Sequence, residues 1–214
     1  WAMVFVVGYY IMQRIYKREK LGEEQLDKLL MYMLIFTIVG ARLGHCLFYE
    51  PAYYFSNPIK FLYVWEGGLA SHGGAIGILI GLYIYAKKID KPYLWILDRI
   101  VVPVAIGGAF IRMGNLMNSE IYGQPTDLPW GFKFVRDYPI GTPIENIPAC
   151  HPTQIYEALF CVAVFVYLLY AYYKQNMAER RPGFMFGIFL IVVFGSRILI
   201  EFIKNHQVAF EDNM

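Results

Sequence analysis

Apolar residues along this chain gather in six long blocks separated by short polar joins. A helix that crosses a bilayer needs about 20 apolar residues at a rise of 1.5 Å each. The blocks fall at residues 1–16, 30–49, 69–86, 95–116, 153–173 and 183–203. None alternates as the lipid-facing strand of a membrane barrel would. The pattern predicts an all-α polytopic membrane protein, with six transmembrane helices in a single domain over 1–214.

The joins alternate in charge. Lys17, Arg18, Lys20, Lys28, Lys87, Lys88, Lys91, Lys174, Arg180 and Arg181 fall in one set, and Lys60, Lys133, Arg136 and Lys204 in the other. The positive-inside rule assigns the first set to the cytoplasm. The joins at 50–68 and 117–152 then face outward. The second of these is long for a loop and rich in proline. Its Trp130, Phe132, Phe134 and Tyr138 predict an ordered arm at the membrane interface.

Composition agrees with this pattern. The 214 residues are 57% hydrophobic and 17% charged, with a net charge of +2 and a mean hydropathy of +0.40. A soluble domain carries about 25% charge. So apolar a chain is neither disordered nor a disulfide scaffold, and its scattered basic residues do not suit nucleic acid. Cys46, Cys150 and Cys161 form no CxxC pair and read as free thiols. The chain begins at Trp1, within an apolar block, and is expected to be trimmed at its start.

Charges inside a span cost roughly 2.5–3.5 kcal/mol each by insertion measurements. Here they are Arg42, Asp98, Arg99, Arg112, Glu157, Arg197 and Glu201, joined by His45 and His72. Several arginines among them point to a site that holds an anion. Arg112, Asn115 and Asn118 lie along one helix edge, with Glu120 and Gly123 beyond. Arginine offers a planar fork for phosphate oxygens. Glu120 is a candidate to orient Arg112 or another cation. His72 is followed by Gly73 and Gly74, which allow close approach of a helix or a headgroup. Arg197 and Glu201 can pair at i, i+4. Arg42, His45 and Tyr49 form a stripe whose role is either anchoring or ligand contact. His151, Gln154, Tyr156 and Glu157 open the fifth block, with Pro152 suited to the first helical turn. The inferred topology sets Arg42, His72, Arg112, Glu157 and Arg197 at one depth, in the outer half of the bilayer. No metal-ligand spacing, GxSxG elbow or P-loop occurs in the sequence. A lipid-headgroup enzyme, an anion transporter and a lipid-binding scaffold all fit these residues.

The motifs add a resemblance. Arg112-x-Gly114-Asn115-x-x-Asn118-x-Glu120-x-x-Gly123 is similar to the signature of the prolipoprotein diacylglyceryl transferase family, with Ile111 and Leu116 where the family has Gly and Phe. His72-Gly73-Gly74, His151-Pro152-x-Gln154-x-Tyr156-Glu157 and Arg197-x-x-x-Glu201 resemble further family motifs, in the same order. The family carries a Tyr near the start of its first helix, where Trp1 stands, and a seventh helix beyond Met214.

The resemblance implies a bacterial inner-membrane enzyme with its site toward the outer leaflet and no cofactor or metal. Its partners would be phosphatidylglycerol, a preprolipoprotein with a lipobox cysteine, and membrane lipid, but no nucleic acid. It implies transfer of the diacylglyceryl group to the cysteine thiol, with release of glycerol phosphate. His72 would be the base, with His45 and His151 as alternatives. Arg112 and Arg197 would clamp phosphate. Asn115, Asn118, Glu120, Gly123, Gly73 and Gly74 would bind the lipid. Glu201, Glu157, His151, Gln154 and Arg42 would support them.

Overall fold

The computed structural model describes residues 2–204, so Trp1, with the expectation that it stands where the family has a Tyr, lies outside the described residues. The elements are α1 (Ala2–Arg18), α2 (Glu23–Phe48), α3 (Pro51–Ser56), α4 (Ser71–Lys88), α5 (Tyr93–Asn118), α6 (Thr153–Tyr173), α7 (Met177–Arg180) and α8 (Phe184–Glu201). Short 3₁₀ turns stand between α3 and α4 and between α5 and α6. Among the described residues the only β pairing is a set of isolated bridges.

Four helices are long and apolar enough to cross a membrane: α2, α5, α6 and α8. They correspond to four of the six blocks. In α1 only 17 residues are helical. The 18 residues of α4 include Ser71, His72, four glycines and the Lys87–Lys88 pair, which dilute its hydropathy. α8 leaves Ile191, Phe194, Ile198 and Leu199 exposed, as a helix facing lipid would.

The chain divides into two compact units. The first comprises Gln13–Leu97. Here α2 packs on α4 through facing glycines. A Cβ on Gly44 would sit 2.7 Å from the Cα of Gly73, and one on Gly40 would sit 2.8 Å from that of Gly77. Both helices therefore present a small residue every fourth position, which lets their backbones meet. At the other end of this pair, the buried Tyr85 hydroxyl donates to the Gln25 carbonyl at 2.8 Å and meets the Tyr16 hydroxyl at 2.8 Å.

The second unit comprises Trp1–Met12 with Asp98–Met214. The start of α1 lies against α5, where a Cβ on Gly107 would stand 3.0 Å from Val4. α5 continues through Pro103, and α6 packs on α8. Asp98 is fully buried. Its carboxylate accepts from the Gly183 amide at 2.6 Å and the Phe186 amide at 2.9 Å. It thus caps the start of α8, satisfying amides that have no partner within that helix. Expected as part of an anion site, Asp98 instead serves the backbone of α8.

Replacing Gly77 by Ala should lower the thermal stability of the protein in detergent, by about 1–3 kcal/mol, because the methyl meets the backbone of Phe36. Gly187, with open space where its Cβ would be, is the control: Gly187→Ala should leave the melting temperature unchanged or raise it.

Candidate active site

The polar residues of the second unit collect where α5 ends and α6 begins. α5 stops at Asn118 because Ser119 turns into the left-handed region, at φ +59. The Glu120 amide then bonds back to the Asn115 carbonyl at 2.9 Å, closing the helix end. Ile121 also has φ +59, a conformation that costs a β-branched residue roughly 1–2 kcal/mol. Two side chains from the first turn of α6 hold this strained turn. Thr153 Oγ1 donates to the Ile121 carbonyl at 2.9 Å, and Gln154 Nε2 to the Glu120 carbonyl at 2.7 Å. Both residues are fully buried. Pro152 precedes α6 as its capping position rather than entering the first turn, and no side chain caps that end.

Segment 119–152 is tied together by backbone hydrogen bonds. Gly123, Gln124 and Thr126 donate backbone hydrogen bonds to His151, Ile203 and Ala149, at 2.8–2.9 Å. Phe132 and Cys150 exchange a pair at 2.9 Å. Gly123 is required by this junction, since a Cβ would lie 2.5 Å from the Ile203 carbonyl oxygen and 2.7 Å from His151 Cβ. Phe134 and Ile147 of the segment are buried. The Tyr122 ring stacks on Phe134, and its hydroxyl donates to the Asp137 carboxylate. Burial, then that hydrogen bond and the nearby negative charge, push the Tyr122 phenol well above its ordinary range. Burial likewise raises the Cys150 thiol, which keeps it protonated and inert.

One turn into α6, the buried Glu157 carboxylate pairs with Arg112 Nε of α5. Lys204 Nζ lies 3.7 Å from the same carboxylate and 3.6 Å from Glu201 Oε2. The Lys204 side chain is only 5% exposed. Glu157 therefore orients Arg112 from the Nε side. Among the described residues the two terminal nitrogens of Arg112 donate no hydrogen bond, so its fork is available to an anion.

Several expected partners are different. Glu120 does not orient Arg112; its carboxylate accepts from Asn118 Nδ2 at 3.3 Å. Glu201 lies beside Lys204, and Arg197 has no ion pair among the described residues. Arg197 instead lines a groove of about 430 Å³ with Phe194, Ile198, Glu201 and Phe202. By hydropathy alone Lys204 falls in a join, just after the last apolar block. The i, i+3 spacing from Glu201 was the available signal. His151 Nδ1 stands 3.3 Å from the Tyr156 hydroxyl, and that hydroxyl accepts from Trp130 Nε1 at 2.9 Å.

In the first unit, Arg42 is buried and fully engaged. Its guanidinium donates to the carbonyls of Lys60, Phe61, Gly67 and Gly68, at 2.5–3.3 Å, over the Tyr54 ring. Arg42 thus holds segment 60–68 through its backbone carbonyls. His45 is half-buried, stacked on Tyr49 at 5.5 Å and edge-on to Tyr54. His72, at the start of α4, is exposed between the rings of Phe48 and Tyr49. Gly73 and Gly74 beside it are buried against α2.

The buried ion cluster generates a stability order. Glu157→Gln leaves Arg112 without its counter-charge and should cost on the order of 3 kcal/mol. Lys204→Met, whose replacement is apolar and whose contacts are longer, should cost about 1 kcal/mol. Thermal unfolding in detergent measures both, and the reverse order would contradict the pairing.

The profile of the family described as prolipoprotein diacylglyceryl transferase matches residues 1–214. The chain is 48% identical over 210 residues to the phosphatidylglycerol–prolipoprotein diacylglyceryl transferase of Porphyromonas gingivalis, an alignment covering 97% of this chain and 74% of that protein. The protein of the same name from Tolumonas auensis is 47% identical over 211 residues, covering 98% and 78%. That from Chloroherpeton thalassium is 42% identical over 210 residues, covering 98% and 75%. Similarity of this extent, together with a family profile matched along its whole length, places the chain in the prolipoprotein diacylglyceryl transferase family, a family of transferases.

Proposed function

We propose that this protein transfers the diacylglyceryl group of phosphatidylglycerol to the lipobox cysteine of preprolipoproteins. Family membership supports the reaction. The observation that carries it to these residues is the Arg112 fork, held by buried Glu157 and left open at its terminal nitrogens. The substrate thiol has an ordinary pKa near 8.5, and its thiolate is the nucleophile. His72 takes that proton as general base. The sulfur attacks the glycerol carbon that bears the phosphate ester, and a C–S bond forms as the C–O bond breaks. The electron pair leaves on the phosphate oxygen, so glycerol phosphate departs and a thioether remains. Arg112 and Arg197 stabilise the charge that grows on the phosphate. Asn115, Asn118 and Glu120 position the headgroup. Glu157 acts through Arg112, and Glu201 and Gln154 are supporting groups.

In the same reading the whole chain is one membrane domain of six spans, α1 and α4 being spans in addition to the four more apolar helices. It resides in the bacterial inner membrane. Segment 117–152 forms a periplasmic arm, and the site faces the outer leaflet. The basic joins at 17–28, 87–91 and 174–181 support that orientation.

The purified protein, given phosphatidylglycerol and a synthetic lipobox peptide, should release glycerol phosphate as the peptide gains one diacylglyceryl mass. Bound lipid with neither product would move the reading to a lipid-binding protein. His72→Gln should lower kcat by about a hundredfold or more while lipid affinity stays near wild type; near-normal turnover would remove His72 as the base. Arg112→Ala and Arg197→Ala should each weaken phosphatidylglycerol binding in a folded protein, and unchanged affinity in both would end the clamp assignment.

A further inference from the structure

Trp130, Tyr156 and His151 form a hydrogen-bonded chain whose direction follows from their chemistry. An indole N–H only donates. Tyr156 therefore accepts from Trp130 Nε1, at 2.9 Å. The remaining contact of the hydroxyl is His151 Nδ1, at 3.3 Å. If Nδ1 carried the proton, the phenolic oxygen would accept twice, and its own proton would have no acceptor among the described residues. With Nδ1 unprotonated, every group in the chain is satisfied and the imidazole proton sits on Nε2.

The backbone around His151 is equally constrained. Its carbonyl accepts from the Gly123 amide at 2.8 Å, and its amide donates to Gln124 at 3.0 Å. Its Cβ packs where Gly123 lacks one. His151 stands two residues before α6, and Glu157, which holds Arg112, lies four residues into that helix, about 6 Å along its axis. The ring is half-buried, and Nε2 has no protein partner among the described residues. A fixed ring with one N–H that meets no partner among the described residues, at the head of the helix that orients Arg112, is suited to an anionic oxygen.

We propose that Trp130 and Tyr156 lock His151 in its Nε2–H tautomer, and that this N–H is a fixed donor to an anionic phosphate oxygen. Trp130 and Tyr156 are positioning residues that act through His151. The donor half of the inference rests on the lipid reading above, whereas the tautomer stands by itself. The phosphate could belong to a lipid headgroup or be free in solution, and the test separates the two.

The full-length protein, labelled with 15N-histidine, is placed in galactolipid nanodiscs, which hold no phosphate, at about pH 8.5. Only four histidines contribute, and loss of signal in His151→Gln identifies this one. The expected spectrum has Nε2 protonated and Nδ1 not. Tyr156→Phe should mix the tautomers, and Trp130→Phe, at a half-exposed surface residue, should do so partially. A protonated Nδ1, or tautomers unchanged in both variants, overturns the lock. Phosphatidylglycerol added to the nanodiscs should move the Nε2–H proton downfield, and inorganic phosphate should not. An equal shift with inorganic phosphate overturns the lipid as its source, and no shift with either overturns the donor role. In the transfer assay, His151→Gln should raise KM for phosphatidylglycerol roughly tenfold with kcat little changed, the size of one charge-assisted hydrogen bond. A wild-type protein that shows the lock but no transfer activity would refute the proposed reaction and leave the lock intact.

Discussion

A carboxylate buried in an apolar helix sets the terms for the rest of the candidate site. Glu157 is 5% exposed, and taking such a charge out of water carries a penalty of several kcal/mol unless cations meet it. Arg112 and Lys204 do so, from the end of α5 and from just beyond α8. The same requirement orients Arg112. With Nε turned to Glu157, the planar fork presents its outer edge, which is the geometry that suits two phosphate oxygens. An arginine free to rotate would have to be ordered by its ligand at the expense of affinity.

The course of segment 119–152 follows from the same junction. Backbone amides near a membrane need partners wherever water is scarce. Residues 123–126 find them on 149–151 and on Ile203, and Thr153 and Gln154 of α6 hold the two carbonyls of the strained turn after α5. The strain at Ile121 is thus compensated by two buried side-chain bonds. Gly123 is small for a steric reason, since three chain segments meet at its Cα. The motif containing Arg112 and Gly123 therefore joins two functions: its first half presents polar groups, and its last residue lets the chain close over them.

How much of this was legible in the sequence depended on the distance over which each feature is decided. Helix positions follow from local hydropathy, and five of the six blocks contain a helix within a few residues of the expected bounds; the second helix starts seven residues early, at Glu23, because its first two turns are amphipathic rather than uniformly apolar. The glycines after His72 suit either a helix contact or a headgroup contact in sequence, whereas in the fold Gly40 and Gly44 stand opposite Gly73 and Gly77. Glu120 looked like the partner of Arg112 because it is near in sequence, but the αL turn at Ser119 carries it away, and Glu157 arrives from another helix. Asp98 resembled a site carboxylate until its bonds to the start of α8 were seen. Lys204 carried almost no signal, since a lysine after an apolar block is ordinary.

The sequence by itself determined the helical, membrane-type character of the protein, the residue types at its polar positions and, through four ordered motifs, the family resemblance. These rest on composition and on periodicities of a few residues, which need no knowledge of what lies across the interface. The tertiary structure alone decided which charges pair, which glycines are contacts, and which arginine is consumed by backbone carbonyls, as Arg42 is, and which is left open, as Arg112 is. Those choices turn on distances of a few ångströms between residues up to about ninety positions apart. Burial makes each unmet polar group costly enough that the fold, rather than chain proximity, selects the partner.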